Sequence, residues 1–159
     1  MNKNFLKPKV RLKGTIVYTI GHSNRELDEF IKLIKHYKID SLIDVRRFPS
    51  SKIVPHFNRQ FLENKLKENS VRYLWLGDQL GGFRKPSYVS YMETESWKEG
   101  YKRLKSIIEN STPVIMCKEK LWFKCHRRFI ANELVKEGYI VIHIIDKNKI
   151  YKHKLQLNL

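Results

Sequence analysis

Four short runs of this sequence carry side chains able to do chemistry: Gly21-His22-Ser23, Asp44-Val45-Arg46-Arg47, Cys117-Lys118-Glu119 and Cys125-His126-Arg127. His22 can act as a base, donate to a substrate oxygen, or only satisfy a nearby carbonyl. Beside the start of a helix its neutral form is favoured. Ser23 is most simply the N-cap of that helix, and Gly21 either lets a ligand approach the backbone or only ends a strand. Asp44 and Arg46 share one face of an extended segment. Asp44 is therefore a base, a partner for a ribose hydroxyl, or the acid of a structural ion pair with Arg46 or Arg127. Arg46 and Arg127 present planar donor forks, and Arg127 stands at an expected helix start, so both are expected to bind an anion. Glu119 is the one acid between Lys118 and Arg128, against five cations. It is either a solvated partner of Lys118 or Lys120, or, with Asp44, half of a carboxylate pair that activates water or stabilises a cationic sugar-like transition state.

The two cysteines differ in setting. Cys117 ends the apolar run PVIMC and is expected to be an inert core thiol. Cys125 is followed by His126, Arg127 and Arg128, an environment that lowers a thiol pKa and creates a nucleophile. A metal would need both cysteines plus His22 or His126, but the spacing C-x7-C-H matches neither paired-cysteine zinc sites nor the zinc-deaminase pattern. A phosphocysteine loop would carry Arg where Phe123 stands. There is no GxGxxG and no Walker lysine motif, so no dinucleotide, ATP or metal cofactor is expected.

Positioning these runs requires alternating strands and helices. TIVYTIG (15–21), SLIDVR (41–46), VRYLWLG (71–77), PVIMC (113–117) and YIVIHIID (139–146) are apolar, rich in β-branched residues and short, as buried parallel strands are. Between them, helices are expected from a Ser23–Glu26 capping box through Tyr37, from Asn58 through Leu66, over 96–110, and over 125–136 before Gly138. Leu155, Leu157 and Leu159 alternate in the tail, which suggests an additional edge strand guarded by lysines. The expected fold is a single α/β, Rossmann-like domain spanning 1–159, with a mostly parallel five-stranded sheet and helices on both faces. In such a sheet, ligands bind beyond the carboxyl ends of the strands, where all four reactive runs fall.

Composition narrows the class. A chain of 159 residues with 42% hydrophobic content supports one packed core. No apolar stretch approaches the roughly 20 residues of a membrane-spanning helix, so no membrane partner is expected. The start, MNKNFLKPKVRLKG, is basic but no apolar block of signal-peptide length follows, and two cysteines make no disulfide framework, so a reducing cytoplasm is the expected compartment. Lys and Arg number 32 against 16 Asp and Glu, a formal charge of +16. The excess gathers in acid-free ends at 1–13 and 147–159, in residues 46–59, and in residues 118–128. Thermophile surfaces pair lysine with glutamate, and here the acids fall far short. Such a charge attracts polyanions, nucleic acid or nucleotides above all.

The combination of TIGHS (19–23), DVR (44–46), FN (57–58), C-x-E (117–119) and CHR (125–127) resembles the family called domain of unknown function 488, over about residues 17–146. The resemblance implies a compact α/β fold and a polar site built from these segments. Three functional readings follow. The first is an enzyme on nucleic acid or a nucleotide, hydrolysing or transferring at a base–sugar or phosphate bond, with His22, Asp44 and Glu119 catalytic and Gly21, Ser23, Arg46 and Arg127 holding substrate. The second is a binding module of the same specificity without chemistry. The third is a thiol enzyme using Cys125. Exposed aromatics among Phe48, Phe57, Trp75, Phe83, Tyr88, Trp122 and Phe123 would stack on bases.

Overall fold

A computed structural model describes residues 14–155. The basic segment 1–13, and Leu157 and Leu159 of the tail, lie outside the described residues. Strands β1 (Ile16–Gly21), β2 (Ser41–Asp44), β3 (Arg72–Trp75), β4 (Pro113–Cys117), β5 (Ile140–Asp146) and β6 (Lys149–Lys152) form one sheet in the order β3-β2-β4-β1-β5-β6. The first five are parallel, and β6 runs antiparallel to β5 at the edge. The edge strand thus arises directly after β5, before the alternating leucines, and carries Lys149 and Lys152 where an unpaired edge needs charge.

Side-chain alternation splits the core between the two sheet faces. Ile20, Leu42, Val114 and Met116 pack against α1 (Leu27–His36) and α2 (Arg59–Glu68). On the other face, Val17, Ile43, Ile115 and Val141 pack under three helices: the single turn α3 (Gly77–Leu80), α5 (Glu95–Glu109) and α6 (Arg127–Lys136). A further turn, α4 (Tyr88–Tyr91), adds the buried Tyr88 to that layer. Leu42 and Ile43 are adjacent and both fully buried on opposite faces, each contributing about 1.5–3 kcal/mol of burial.

In α1 the apolar residues Leu27, Phe30, Ile31 and Ile34 fall on one face, with Asp28 and Glu29 in the first turn and Lys35 and His36 in the last. The expected Ser23–Glu26 capping box does not form. Glu26 takes the cap position without a side-chain hydrogen bond, and Ser23 sits at φ 49°. The reason is a tertiary contact. The His22 N–H donates to the Cys117 carbonyl at 2.9 Å and the Ser23 N–H to the Lys118 carbonyl at 2.8 Å, so the β1–β4 pairing continues past both strands and delays the helix. Thr94, by contrast, does cap α5, accepting from the Trp97 N–H at 3.3 Å.

Candidate functional site

Neighbouring strands β2 and β4 send their chains in opposite directions, one outward to β3 and the other across β1 to β5. Their loops therefore diverge and open a crevice at the carboxyl ends, the switch point at which open α/β sheets bind ligands. A pocket of about 560 Å³ lies there. It is walled by residues 46–51 after β2, residues 82–88 after β3, residues 118–129 after β4, and His22 after β1.

The structure brings all four reactive runs to this edge, but it sorts them in depth. His22, Arg46, Glu119 and Cys125 line the pocket, whereas Gly21, Ser23, Asp44 and Arg127 do not. Asp44 is completely buried and Arg46 nearly so. Arg46 Nε and Nη2 donate to the two Asp44 carboxylate oxygens at 2.9 and 2.7 Å, and the Arg46 backbone N–H adds a bond to Oδ1 at 3.0 Å. The Tyr73 hydroxyl of β3 donates to the remaining face of Asp44. Asp44 thus stands as the acid of a buried ion pair with Arg46, the structural alternative among its readings. Its partner Arg46 is held against Asp44 and still lines the pocket.

His22 belongs to the same chain of contacts. Its Nδ1 lies 2.8 Å from the Ser23 carbonyl, which can only accept, so Nδ1 carries the proton. Its Nε2 then accepts from Arg46 Nη1 at 3.2 Å. Burial and the neighbouring Arg46 charge lower its pKa to about 4, so the ring is neutral, as expected. The cause is desolvation and not a helix terminus, since α1 begins only at Leu27. With both nitrogens engaged and its ring stacked on Phe57 at 4.6 Å, His22 tethers β1 to β2 and is not a free base.

Arg127 departs furthest from expectation. It is 1% exposed and is not part of the pocket wall. Nε points at Cys125 Sγ at 3.3 Å, Nη1 donates to Thr19 Oγ1 at 3.2 Å, and Nη2 donates to the Glu119 carbonyl. Gly21 belongs to the same clasp. A Cβ there would collide with the Glu119 carbonyl, so glycine serves approach by the protein's own chain. From Thr19 the contacts run inward through His143, His153 and Asn132, with Thr19 Oγ1 2.6 Å from His143 Nδ1 and His143 Nε2 2.8 Å from His153 Nδ1.

What remains open to a ligand is mostly cationic and aromatic. Arg47, Arg84, Lys118, Lys124 and Arg128 line the pocket, and none makes a salt bridge among the described residues. Glu119 is the pocket's one exposed carboxylate. Phe48, Phe83 and Phe123 are 62%, 83% and 45% exposed along its wall, whereas Phe57, Tyr88 and Trp122 are core. Trp75 is half-buried under the Arg59 guanidinium. Phe83 also holds φ at +60°, a conformation that L residues rarely adopt, and its carbonyl is gripped by Arg47 Nη1 at 2.7 Å.

His126, read in the sequence as a candidate metal ligand or as a neighbour that lowers the Cys125 thiol pKa, also faces the pocket. Its Nε2 donates to the Val45 carbonyl at 2.9 Å, leaving Nδ1 as an acceptor directed at Gly82, where any side chain would crowd it. Burial lowers its pKa, keeping the ring neutral. The signal for it lay in the glycine pair Gly81-Gly82 and the CHR run read together. Cys125 lines the pocket with its thiol pKa lowered by a hydrogen bond from Cys117 and by the charge of Arg127, while burial pushes the Cys117 thiol up. Among the described residues, no group of three or more His, Cys, Asp or Glu side chains is placed to hold a metal, and no helix is long and apolar enough to cross a membrane.

The model of the family described as Domain of unknown function DUF488 matches residues 26–134, more than half of the chain. No curated protein matches the chain.

Proposed function

Since the chain belongs to the DUF488 family, whose description assigns no activity, we propose from its site that it is an enzyme acting on nucleic acid or a nucleotide, at a base–sugar or phosphate bond. The carrying observation is that five cations that make no salt bridge among the described residues line one pocket together with three exposed phenylalanine rings. Unpaired cations of one sign in a cleft focus field on an anion, and exposed rings beside them suit the flat face of a base. A volume of about 560 Å³ falls in the range of small-ligand sites and suits one nucleotide unit, whether free or turned out of a strand. The groups open to chemistry are Glu119, the acceptor Nδ1 of His126 and the Cys125 thiol. The first two can take a proton from water attacking the bound ligand. We place the protein in the cytoplasm, where its thiols stay reduced.

The test is direct. Mononucleotides and single-stranded DNA and RNA, with normal and damaged bases, are assayed for binding by anisotropy and for product by chromatography. Binding that weakens steeply with salt, with product lost in Glu119→Gln or His126→Gln, is the expected result. Neither binding nor product at low salt overturns the reading. A second reading, a binding module without chemistry, is favoured by the His22–Arg46–Asp44 network, which engages both ring nitrogens of His22 and both carboxylate oxygens of Asp44. Salt-dependent binding with no product under any condition selects it.

A further inference from the structure

We propose that Cys125 and Cys117 form a peroxide-reactive dithiol, in which Cys125 is oxidised first and Cys117 closes a disulfide onto it. The ligand reading above uses neither step, so the two stand or fall separately.

Three placements carry the proposal. Cys125 Sγ lies 2.9 Å from Cys117 Sγ, close enough for one sulfur to attack the other. Cys125 lines the pocket, whereas Cys117 is 2% exposed at the end of β4, so a small solute reaches only the first. Finally, the Arg127 N–H and Nε point at Cys125 Sγ at 3.4 and 3.3 Å, two donors aimed at the sulfur that would carry negative charge. Arg127 has no carboxylate partner among the described residues. A buried guanidinium without one is costly, and a thiolate at Cys125 supplies the missing anion. The lowered Cys125 and raised Cys117 pKa agree with this division of roles.

The chemistry balances with a hydroperoxide as oxidant. The Cys125 thiolate attacks one peroxide oxygen, the O–O bond breaks, and the other oxygen leaves as hydroxide or alkoxide and takes a proton from water. Cys125 is now a sulfenic acid. The Cys117 sulfur then attacks Cys125 Sγ, the S–S bond forms, and the hydroxyl leaves with the Cys117 proton as water. Two thiols have lost two electrons and the peroxide has gained them. A small dithiol reductant reverses the change.

The full chain is reduced, freed of reductant and treated with a small excess of hydrogen peroxide. Loss of both thiols, a mass lower by two hydrogens and recovery with dithiothreitol are expected. In Cys117→Ser, a sulfenic-acid trap such as dimedone is expected to label Cys125. In Cys125→Ser, oxidation of the remaining thiol is expected to be on the order of tenfold slower or more, as a buried thiol carries little thiolate. Because Cys125→Ser removes the anion facing Arg127, its fold is checked by circular dichroism, and Cys117→Ser decides the order of reaction if that variant unfolds. Unchanged thiols in the wild type, or dimedone absent from Cys125 in Cys117→Ser, overturn the proposal.

Discussion

Arg46 grips Asp44 through both carboxylate oxygens and donates through Nη1 to His22 Nε2 at 3.2 Å. Three residues that look reactive in the sequence thereby become one internal strut across the ends of β1, β2 and β3, with Tyr73 closing it.

Asp44→Ala leaves the Arg46 charge buried without its partner. Breaking such a pair from one side costs about 3–5 kcal/mol. Urea unfolding of this variant should show a midpoint lowered accordingly. A loss under 1 kcal/mol, within the range of a surface ion pair, would mean that the pair is not structural.

The open cations should behave in the opposite way. Arg47→Ala, Lys118→Ala and Arg128→Ala are expected to leave stability nearly unchanged and to weaken nucleotide or oligonucleotide binding. Each phosphate contact removed lowers the slope of log affinity against log salt by about 1. Titrations at several salt concentrations measure this, and unaltered slopes in all three variants would detach these residues from the ligand.

Phe83→Ala separates platform from core. The ring is 83% exposed and its backbone strained, so removal should not lower the unfolding midpoint. If a base stacks on it, affinity falls by about 1–3 kcal/mol. Equal affinities of wild type and variant for single strands would remove Phe83 from the site.

Acid should unfold the protein through its buried histidines. His22 and His153 have pKa values lowered to about 4 by burial, and His143 is held low by burial beside Arg127. In the unfolded chain each titrates near 6.5. Between these values the unfolded state binds more protons, so the histidines' contribution is complete above about pH 6.5 and drains as pH falls toward 4. The loss is on the order of a few kcal/mol in total. Denaturant midpoints at pH 7.5, 6 and 5 measure it, and His153→Gln should flatten the slope. A flat profile across the window would show that these rings charge freely in the folded state.

The sequence by itself determined the α/β layering, because short β-branched runs between amphipathic stretches have few ways to bury their faces. It also placed the reactive runs at one sheet edge, since each follows a strand and parallel strands end together. An edge strand after β5 was legible too, and among the described residues it is Lys149–Lys152. Only the tertiary structure decided which polar atoms meet. Arg127 finds Thr19, 108 residues away, and His22 finds Arg46, 24 away, and no local spacing encodes such encounters. Once a guanidinium is buried it must be paired, so the fold spends Arg46 on Asp44 and Arg127 on carbonyls and sulfur. The arginine charge on the pocket wall therefore includes Arg47 and Arg128, the neighbours of the two arginines that the motifs single out. Depth at the sheet edge, set by loops from separate strands, made that division.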